Sequence, residues 1–277
     1  MAVSLDRDDR DEGAAAEAGP RPCSRPVQGR RHRSLAVEDQ VEWMLPEEEP
    51  VAMVYNRRTF AVMLASPADL EDFGLGFSLS EGIVASAAEM HEIEIERLAE
   101  GLTVRMSIPS ARAAALVGRR RALEGRSGCG LCGIESLEAL CRPLAPVVAP
   151  VVAPAAIARA LDQLHRHQPM RAENHSVHGA AWCDPAGDIV LAREDVGRHS
   201  ALDKLIGAMA GQGLATGGQG FAVLSSRCGF ELVQKAAAVG IGLLASVSAP
   251  TTMALSMARQ AGMALAVSAR GTGIVLF

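Results

Sequence analysis

Residues 221–247 read FAVLSSRCGFELVQKAAAVGIGLLASV, and this stretch decides the fold of the C-terminal half. An apolar run over 221–225 is followed by a helical pattern over 230–239 and a second apolar run over 241–247. Glycines lie between these segments and mark the turns. A strand, a helix and a strand in this order predict a βαβ unit with parallel strands.

The same alternation continues on both sides of this unit. We predict a hairpin of strands over 180–183 and 188–192, helices over 155–167, 200–210 and 251–261, and strands over 263–268 and 274–277. Strands that alternate with helices predict a largely parallel central sheet. Anions bind at the carboxyl edge of such a sheet, where helix N-termini converge, so functional residues are expected there.

The first half of the chain predicts a smaller unit. Paired apolar runs predict hairpins over 51–64 and 90–108, and Ser66 and Pro67 are expected to be the N-cap and first residue of a helix. The N-terminus is rich in Asp, Arg, Ala, Gly and Pro, which favours disorder. The sequence predicts four regions: a disordered tail over 1–34, an N-terminal α+β domain over 35–118, a mobile loop with a proline-rich connector over 119–154, and a C-terminal α/β domain over 155–277.

Composition and charge exclude several classes of protein. The chain has 277 residues, 49% of them hydrophobic, which is enough for a sizeable core. A formal net charge of −5 argues against a general nucleic-acid binder, which needs a broad basic field. The sequence contains no uninterrupted apolar run of about 20 residues, the length that a membrane-spanning helix needs, so no membrane span is predicted. The N-terminal residues lack the apolar core of a signal peptide, and six cysteines with one close pair do not resemble a disulfide framework. We therefore expect a cytoplasmic protein with reduced thiols.

Polar residues cluster where the predicted C-terminal strands end. The stretch REDVGRHSALDK, residues 193–204, follows the hairpin and is dense in charge, although ordinary capping and pairing would explain part of it. Arg227 lies at the turn before the next helix, in which Glu231 and Lys235 are expected to pair at i, i+4. Arg270 lies in SARGTG, residues 268–273, whose glycines let backbone N–H groups approach a phosphate.

Two cysteines, Cys129 and Cys132, lie in the glycine-bracketed loop RSGCGLCGIESL, residues 126–137. A structural zinc site needs four ligands, and no second pair accompanies them. A deaminase-type zinc site needs H-x-E and P-C-x-x-C, and neither occurs. Thiol–disulfide exchange and sulfur carriage as a persulfide both use this spacing, which does not separate them.

Several long motifs in the same order resemble one family. From about Val51 to Arg270, the stretches SPADLEDFGLGFSLSEGI, CGLCG, REDVGRHSALDK, SSRCGFELVQKAA and SAPTTMAL are similar to the formate dehydrogenase accessory sulfurtransferases, the FdhD family. The resemblance implies an α/β fold like that of cytidine deaminases, with a three-layer mixed sheet, a smaller N-terminal α+β domain and a homodimer. It also implies a sulfurtransferase that takes persulfide sulfur from a cysteine desulfurase. The sulfur then passes to the molybdenum or tungsten bis(molybdopterin guanine dinucleotide) cofactor that formate dehydrogenase requires.

The resemblance assigns roles to individual residues. Cys129 matches the persulfide-bearing cysteine, and Cys132 matches its partner. The implied cofactor-binding residues are His178, Arg193, Asp195, Arg198, His199, Lys204, Arg227, Ser268, Ala269, Arg270, Gly271, Thr272 and Gly273. In this interpretation the cofactor is a bound substrate and the protein holds no zinc of its own. A thiol–disulfide oxidoreductase, a noncatalytic cofactor-binding chaperone of formate dehydrogenase and a zinc hydrolase remain as alternatives.

Overall fold

The computed structural model describes residues 22–34, 37–120, 144–269 and 273–277. These residues form two lobes and a two-stranded ribbon. The first lobe spans residues 49–120, the second lobe spans 154–277, and the ribbon spans 24–46. The boundaries proposed from the sequence between tail, domains and connector stay predictions.

The first lobe is a four-stranded sheet with helices. Its elements are β3 (Glu49–Tyr55), β4 (Arg58–Ala65), α1 (Leu70–Ser80), a 3-10 turn (Ala87–Glu89), β5 (Glu92–Leu98), β6 (Gly101–Ser107) and α2 (Ser110–Arg120). The strand order is β4-β3-β6-β5, with β3 and β6 parallel and the hairpins antiparallel. Phe73 and Phe77 of α1 pack with Val51, Met53 and Val104 of the sheet in a buried core. Both hairpins predicted from the sequence are confirmed.

The second lobe alternates strands and helices as predicted. Its elements are α3 (Pro154–Gln163), a 3-10 turn (Leu164–His167), α4 (Pro169–Asn174), β7 (His178–Cys183), β8 (Ile189–Asp195), α5 (Arg198–Gly211), β9 (Phe221–Arg227), α6 (Phe230–Ala238), β10 (Leu243–Ser248), α7 (Thr252–Ala261), β11 (Ala264–Ala269) and β12 (Gly273–Leu276). The strand order is β12-β11-β10-β9-β7-β8. Only β9, β10 and β11 are parallel neighbours, so the sheet is mixed, and the expectation of a largely parallel sheet holds for its centre alone.

Helices cover both faces of this sheet and make three layers. Side chains alternate along a strand, so Ala222 and Leu224 of β9 join the core under α5, α6 and α7. Phe221 and Val223 point to the opposite face and pack with Ile157 of α3. The three-layer α/β fold with a mixed sheet and a smaller α+β lobe is therefore confirmed. Among the helices in the described ranges, none is long and apolar enough to span a bilayer.

The ribbon corrects one prediction. Residues 24–34 were expected to be disordered because few of them are large and apolar, but β1 (Ser24–Ser34) pairs antiparallel with β2 (Val37–Pro46). Backbone pairing stabilises a strand without a core, and the base of the ribbon is fixed to the second lobe. Asn174 Nδ2 donates to Ser24 Oγ at 2.9 Å, and the rings of Trp43 and His175 lie 6.4 Å apart. The prediction for residues 1–21 falls outside the described residues.

Helices α1 and α5 join the lobes through glycines. A Cβ on Gly76 would lie 2.6 Å from the backbone nitrogen of Gly207, and closer still to the carbonyl oxygen of Asp203. A Cβ on Gly207 would lie 2.7 Å from the carbonyl carbon of Asp72. Real side chains do not tolerate such distances, so the two backbones approach closely only because both positions lack side chains.

Gly76→Ala is expected to lower the free energy of unfolding by about 2–3 kcal/mol, because the added carbon pushes α5 away from α1. A decrease in the free energy of unfolding would be informative, because the higher helix propensity of alanine alone would increase it by about 1 kcal/mol. Urea unfolding of the two proteins measures the difference. The matched control is Gly211→Ala at the end of α5, where an added Cβ meets no atom within 4 Å. Equal stability of the two variants would contradict the close approach.

Candidate functional site

The carboxyl edge of the six-stranded sheet gathers polar residues from the second lobe. Strands β9, β10 and β11 end there, and the helices α6 and α7 begin immediately afterwards. Antiparallel β7 starts at this edge with His178, which pairs with Asp195 at the end of β8. Helix α5 begins there with Arg198. Arg227 is the last residue of β9, and Gly273 begins β12 beside Ala269 at the end of β11.

Among the described residues of this edge, Arg227 is the most exposed cation. Its side chain is exposed, and only Cys228 and Gly229 separate it from the start of α6. Arg198, partly exposed, is the first residue of α5. Helix N-termini present unpaired N–H groups and the positive end of the helix dipole. Guanidinium groups at such positions favour a phosphate or carboxylate ligand.

Two histidines beside these arginines are neutral. Burial, followed by the charges of Arg198 and Arg171, lowers the pKa of His178. Burial, followed by the charges of Arg198 and Lys235, lowers the pKa of His199 to about 3. At neutral pH both rings are uncharged, so each offers one hydrogen-bond donor and one acceptor. The positive field of the edge therefore comes from arginines and helix ends.

Three predicted ligand-binding residues face the lobe interface instead. Lys204 and Asp195 are 0% exposed and their side chains lie 2.6 Å apart, Nζ to Oδ2. Arg193 donates to Asp72 of α1 at 2.7 Å. Lys204 and Asp195 are buried, and Arg193 is paired with Asp72 of the other lobe, so these groups connect the two lobes in this structure.

Ser66 completes this buried junction. Its backbone nitrogen donates to Asp195 Oδ2 at 2.9 Å, and its carbonyl oxygen accepts from Lys204 Nζ at 2.9 Å. Its hydroxyl oxygen accepts from the backbone nitrogen of Val196 at 3.1 Å. The prediction that Ser66 caps α1 is therefore wrong: the second lobe occupies its polar groups, and α1 begins later, after Asp69.

A second buried junction was missed from the sequence. Lys235 does not pair with Glu231; its Nζ lies 2.9 Å from Asp203 Oδ2 and 3.0 Å from Glu81 Oε1. Burial works against the charge of Lys235, but Asp203 and Glu81 hold its pKa above the usual value. Ser80 Oγ donates to Asp203 Oδ1 at 2.6 Å. The signal would have been that Asp203 and Lys204 directly precede the apolar run LIGAMAG, and that Lys235 directly precedes AAAVG.

The cysteines in the described ranges are not activated as nucleophiles, because their thiols stay protonated at neutral pH. Burial raises the pKa of Cys183 and of Cys228 to about 12 each. Cys23 is partly buried at the base of the ribbon, and burial raises its pKa as well. It lines a cavity of about 330 Å³ together with Asp69, Arg193 and Glu194, so this thiol is only partly accessible.

Part of the predicted site lies outside the described residues. This applies to Cys129 and Cys132, and to Arg270, Gly271 and Thr272. Ser268 is partly buried in β11, opposite Ile274 of β12. Over the described ranges, no group of three or more His, Cys, Asp or Glu side chains is arranged to hold a metal ion.

The fold and the carboxyl edge define a two-lobed α/β protein whose open edge suits an anionic ligand. The chain belongs to the FdhD/NarQ family, whose model matches residues 46–277. It is 50% identical over 253 residues to the sulfur carrier protein FdhD of Xanthomonas euvesicatoria, covering 90% of this chain and 88% of that protein. It is 46% identical over 232 residues to the protein of the same name from Bordetella bronchiseptica, covering 83% and 84% of the two chains.

A solved structure has the same fold. It is a crystal structure from Desulfotalea psychrophila, described as that of a candidate formate dehydrogenase accessory protein. The TM-score is 0.72 at 24% sequence identity, and the match covers 92% of this chain and 96% of that one.

Proposed function

We propose that the chain is a sulfurtransferase that carries sulfur as a persulfide on Cys129. The Cys129 thiolate attacks the outer sulfur of a donor Cys–S–SH group on a cysteine desulfurase. A new S–S bond forms on Cys129, the S–S bond of the donor breaks, and the donor leaves as a thiolate. No electrons are gained or lost overall, so the step needs no further oxidant or reductant.

The choice of Cys129 is supported by the state of the three cysteines that the structure describes. Only a thiolate is a good nucleophile, and burial keeps the thiols of Cys23, Cys183 and Cys228 protonated at neutral pH. In the sequence, Arg126 precedes Cys129 by three residues, and a guanidinium near a thiol favours the thiolate by its charge. In this proposal Cys132 assists or relays the sulfur.

The acceptor proposed is the molybdenum bis(molybdopterin guanine dinucleotide) cofactor, bound as a substrate before it serves formate dehydrogenase. Its diphosphates carry negative charge, and the carboxyl edge offers Arg198, Arg227 and two helix N-termini to bind them. Ser268 and Ala269 end β11 at the same edge, and Gly273 begins β12 beside them. His178 and His199 supply neutral hydrogen-bonding groups beside the arginines.

The single observation that carries the proposal is the sequence identity of 50%, over 90% of this chain, to a protein named a sulfur carrier. The partners proposed are a cysteine desulfurase, formate dehydrogenase and a second copy of the chain, acting in the cytoplasm.

Guanosine diphosphate is the simplest probe of the cofactor-binding edge. We expect the purified chain to bind it, and Arg227→Ala to weaken binding by about tenfold or more, because a charge-assisted hydrogen bond contributes about 1.5–3 kcal/mol. Isothermal titration calorimetry measures both affinities.

The matched control is Arg105→Ala, which removes an exposed arginine hydrogen-bonded to Glu96 in the first lobe and should leave the affinity unchanged. The absence of binding to the unmodified chain, or equal affinities of the Arg227 and Arg105 variants, would contradict a nucleotide site at this edge.

A further inference from the structure

We propose that Glu231 is a positioning residue for His199: its carboxylate accepts the Nε2 proton and so leaves Nδ1 as a hydrogen-bond acceptor toward the ligand. The inference rests on the proposed function in one respect, that the carboxyl edge receives a nucleotide-bearing substrate. It concerns a residue that the sequence places in an ordinary intrahelical pair.

The first turns of two helices bring the two side chains together. His199 is the second residue of α5, and Glu231 is the second residue of α6. His199 Nε2 lies 4.0 Å from Glu231 Oε2, and the side chains are only 11% and 18% exposed. Nε2 is buried and has no hydrogen-bond partner among the described residues. A buried N–H without an acceptor is costly, and a small rotation of either side chain would bring the carboxylate within hydrogen-bond distance.

Gly229 makes room for the carboxylate. A Cβ at Gly229 would lie 2.6 Å from Glu231 Oε2, so the carboxylate folds back over the residue that precedes α6. There the positive end of the helix dipole favours its negative charge. Any larger residue at 229 would displace it.

The other charged groups near His199 do not serve Nε2. Lys235 and Arg198 are cations and only donate, and the ring of His178 makes no hydrogen bond to Nε2. Asp203 and Glu81 are engaged by Lys235. Glu231 is therefore the acceptor that the geometry offers to the buried ring nitrogen.

A hydrogen-bond acceptor at Nδ1 of His199 makes the site selective for ligands that carry a hydrogen-bond donor. The arginines and helix N–H groups of the edge are all donors, which suits phosphate oxygens. If Glu231 holds the proton on Nε2, the lone pair of Nδ1 adds an acceptor among them. This acceptor matches a hydroxyl or N–H group of a nucleoside, which inorganic pyrophosphate lacks. Hydrogen bonds of this kind are often long before a ligand binds and shorten in the complex.

The first test reads the tautomer directly in the full-length protein without ligand, from the ¹⁵N shifts of the His199 ring. We expect the Nε2–H form in the unmodified chain and a shift toward the Nδ1–H form in Glu231→Ala. Glu231→Gln keeps an acceptor oxygen and should restore the Nε2–H form. An identical tautomer in the unmodified chain and Glu231→Ala would overturn the proposal.

The second test compares guanosine diphosphate with pyrophosphate by calorimetry. Glu231→Ala should weaken guanosine diphosphate binding by about tenfold, the contribution of one hydrogen bond, and leave pyrophosphate binding unchanged. Glu71→Ala, an exposed first-turn glutamate of α1, is the matched control and should change neither. An equal loss for both ligands would assign Glu231 a purely structural role. Sulfur uptake by Cys129 is measured independently of the tautomer and of ligand binding. A failure of sulfur uptake would therefore contradict the proposed function without affecting the test of Glu231.

Discussion

Replacing Cys129 by alanine is expected to reduce formate dehydrogenase activation to the level of cells that lack the chain. None of the cysteines in the described ranges is expected to replace Cys129 as the carrier, because burial keeps the thiols of Cys183 and Cys228 protonated, with a pKa of about 12 for each. The experiment expresses each variant in a bacterium without its own family member and measures formate dehydrogenase activity in extracts.

Cys23→Ala is the matched control for this loss. Cys23 is partly buried at the base of the ribbon, away from the paired cysteines in sequence, and its pKa is raised by burial. Cells with this variant should keep full activity. Full activity with Cys129→Ala would exclude the persulfide mechanism and favour a chaperone that only binds the cofactor.

Lys204→Ala is expected to lower the free energy of unfolding by about 3–5 kcal/mol, the cost of removing one partner from a buried ion pair. The variant leaves Asp195 without its cation at a position that is 0% exposed. It also removes the donor to the carbonyl oxygen of Ser66, which connects the two lobes. Urea unfolding followed by circular dichroism measures the change.

Two further variants separate the buried charge from general damage. Arg105→Ala breaks an exposed pair with Glu96 and should cost about 1 kcal/mol at most. Combining Lys204→Met with Asp195→Leu removes both charges and should recover part of the lost stability. A Lys204→Ala variant as stable as Arg105→Ala would show that the junction contributes little.

The regular elements of the second lobe could be predicted because the hydrophobic pattern is strong there. Short apolar runs alternate there with helical patterns, and glycines lie at the turns between them; the strand over 221–227 and the helix over 230–238 follow that pattern. The ribbon could not be predicted, because SRPVQGRRHRS has few apolar residues and its order comes from pairing with residues 37–46.

The candidate site was predictable only to the level of the sheet edge. Residues at strand ends, such as His178 and Arg227, do lie at the carboxyl edge. Within REDVGRHSALDK, however, Arg198 belongs to that edge whereas Asp195 and Lys204 are buried between the lobes. Both groups are polar and adjacent in sequence, so only the packing of α1 against α5 distinguishes them.

The most direct test of sulfur carriage is the intact mass of the chain after incubation with a cysteine desulfurase and cysteine. We expect a gain of one sulfur atom that disappears on treatment with a reductant, that maps to Cys129 in peptides, and that is absent in Cys129→Ala. An unchanged mass, or a loss of two hydrogens without any need for the desulfurase, would contradict sulfur carriage and indicate a redox pair instead.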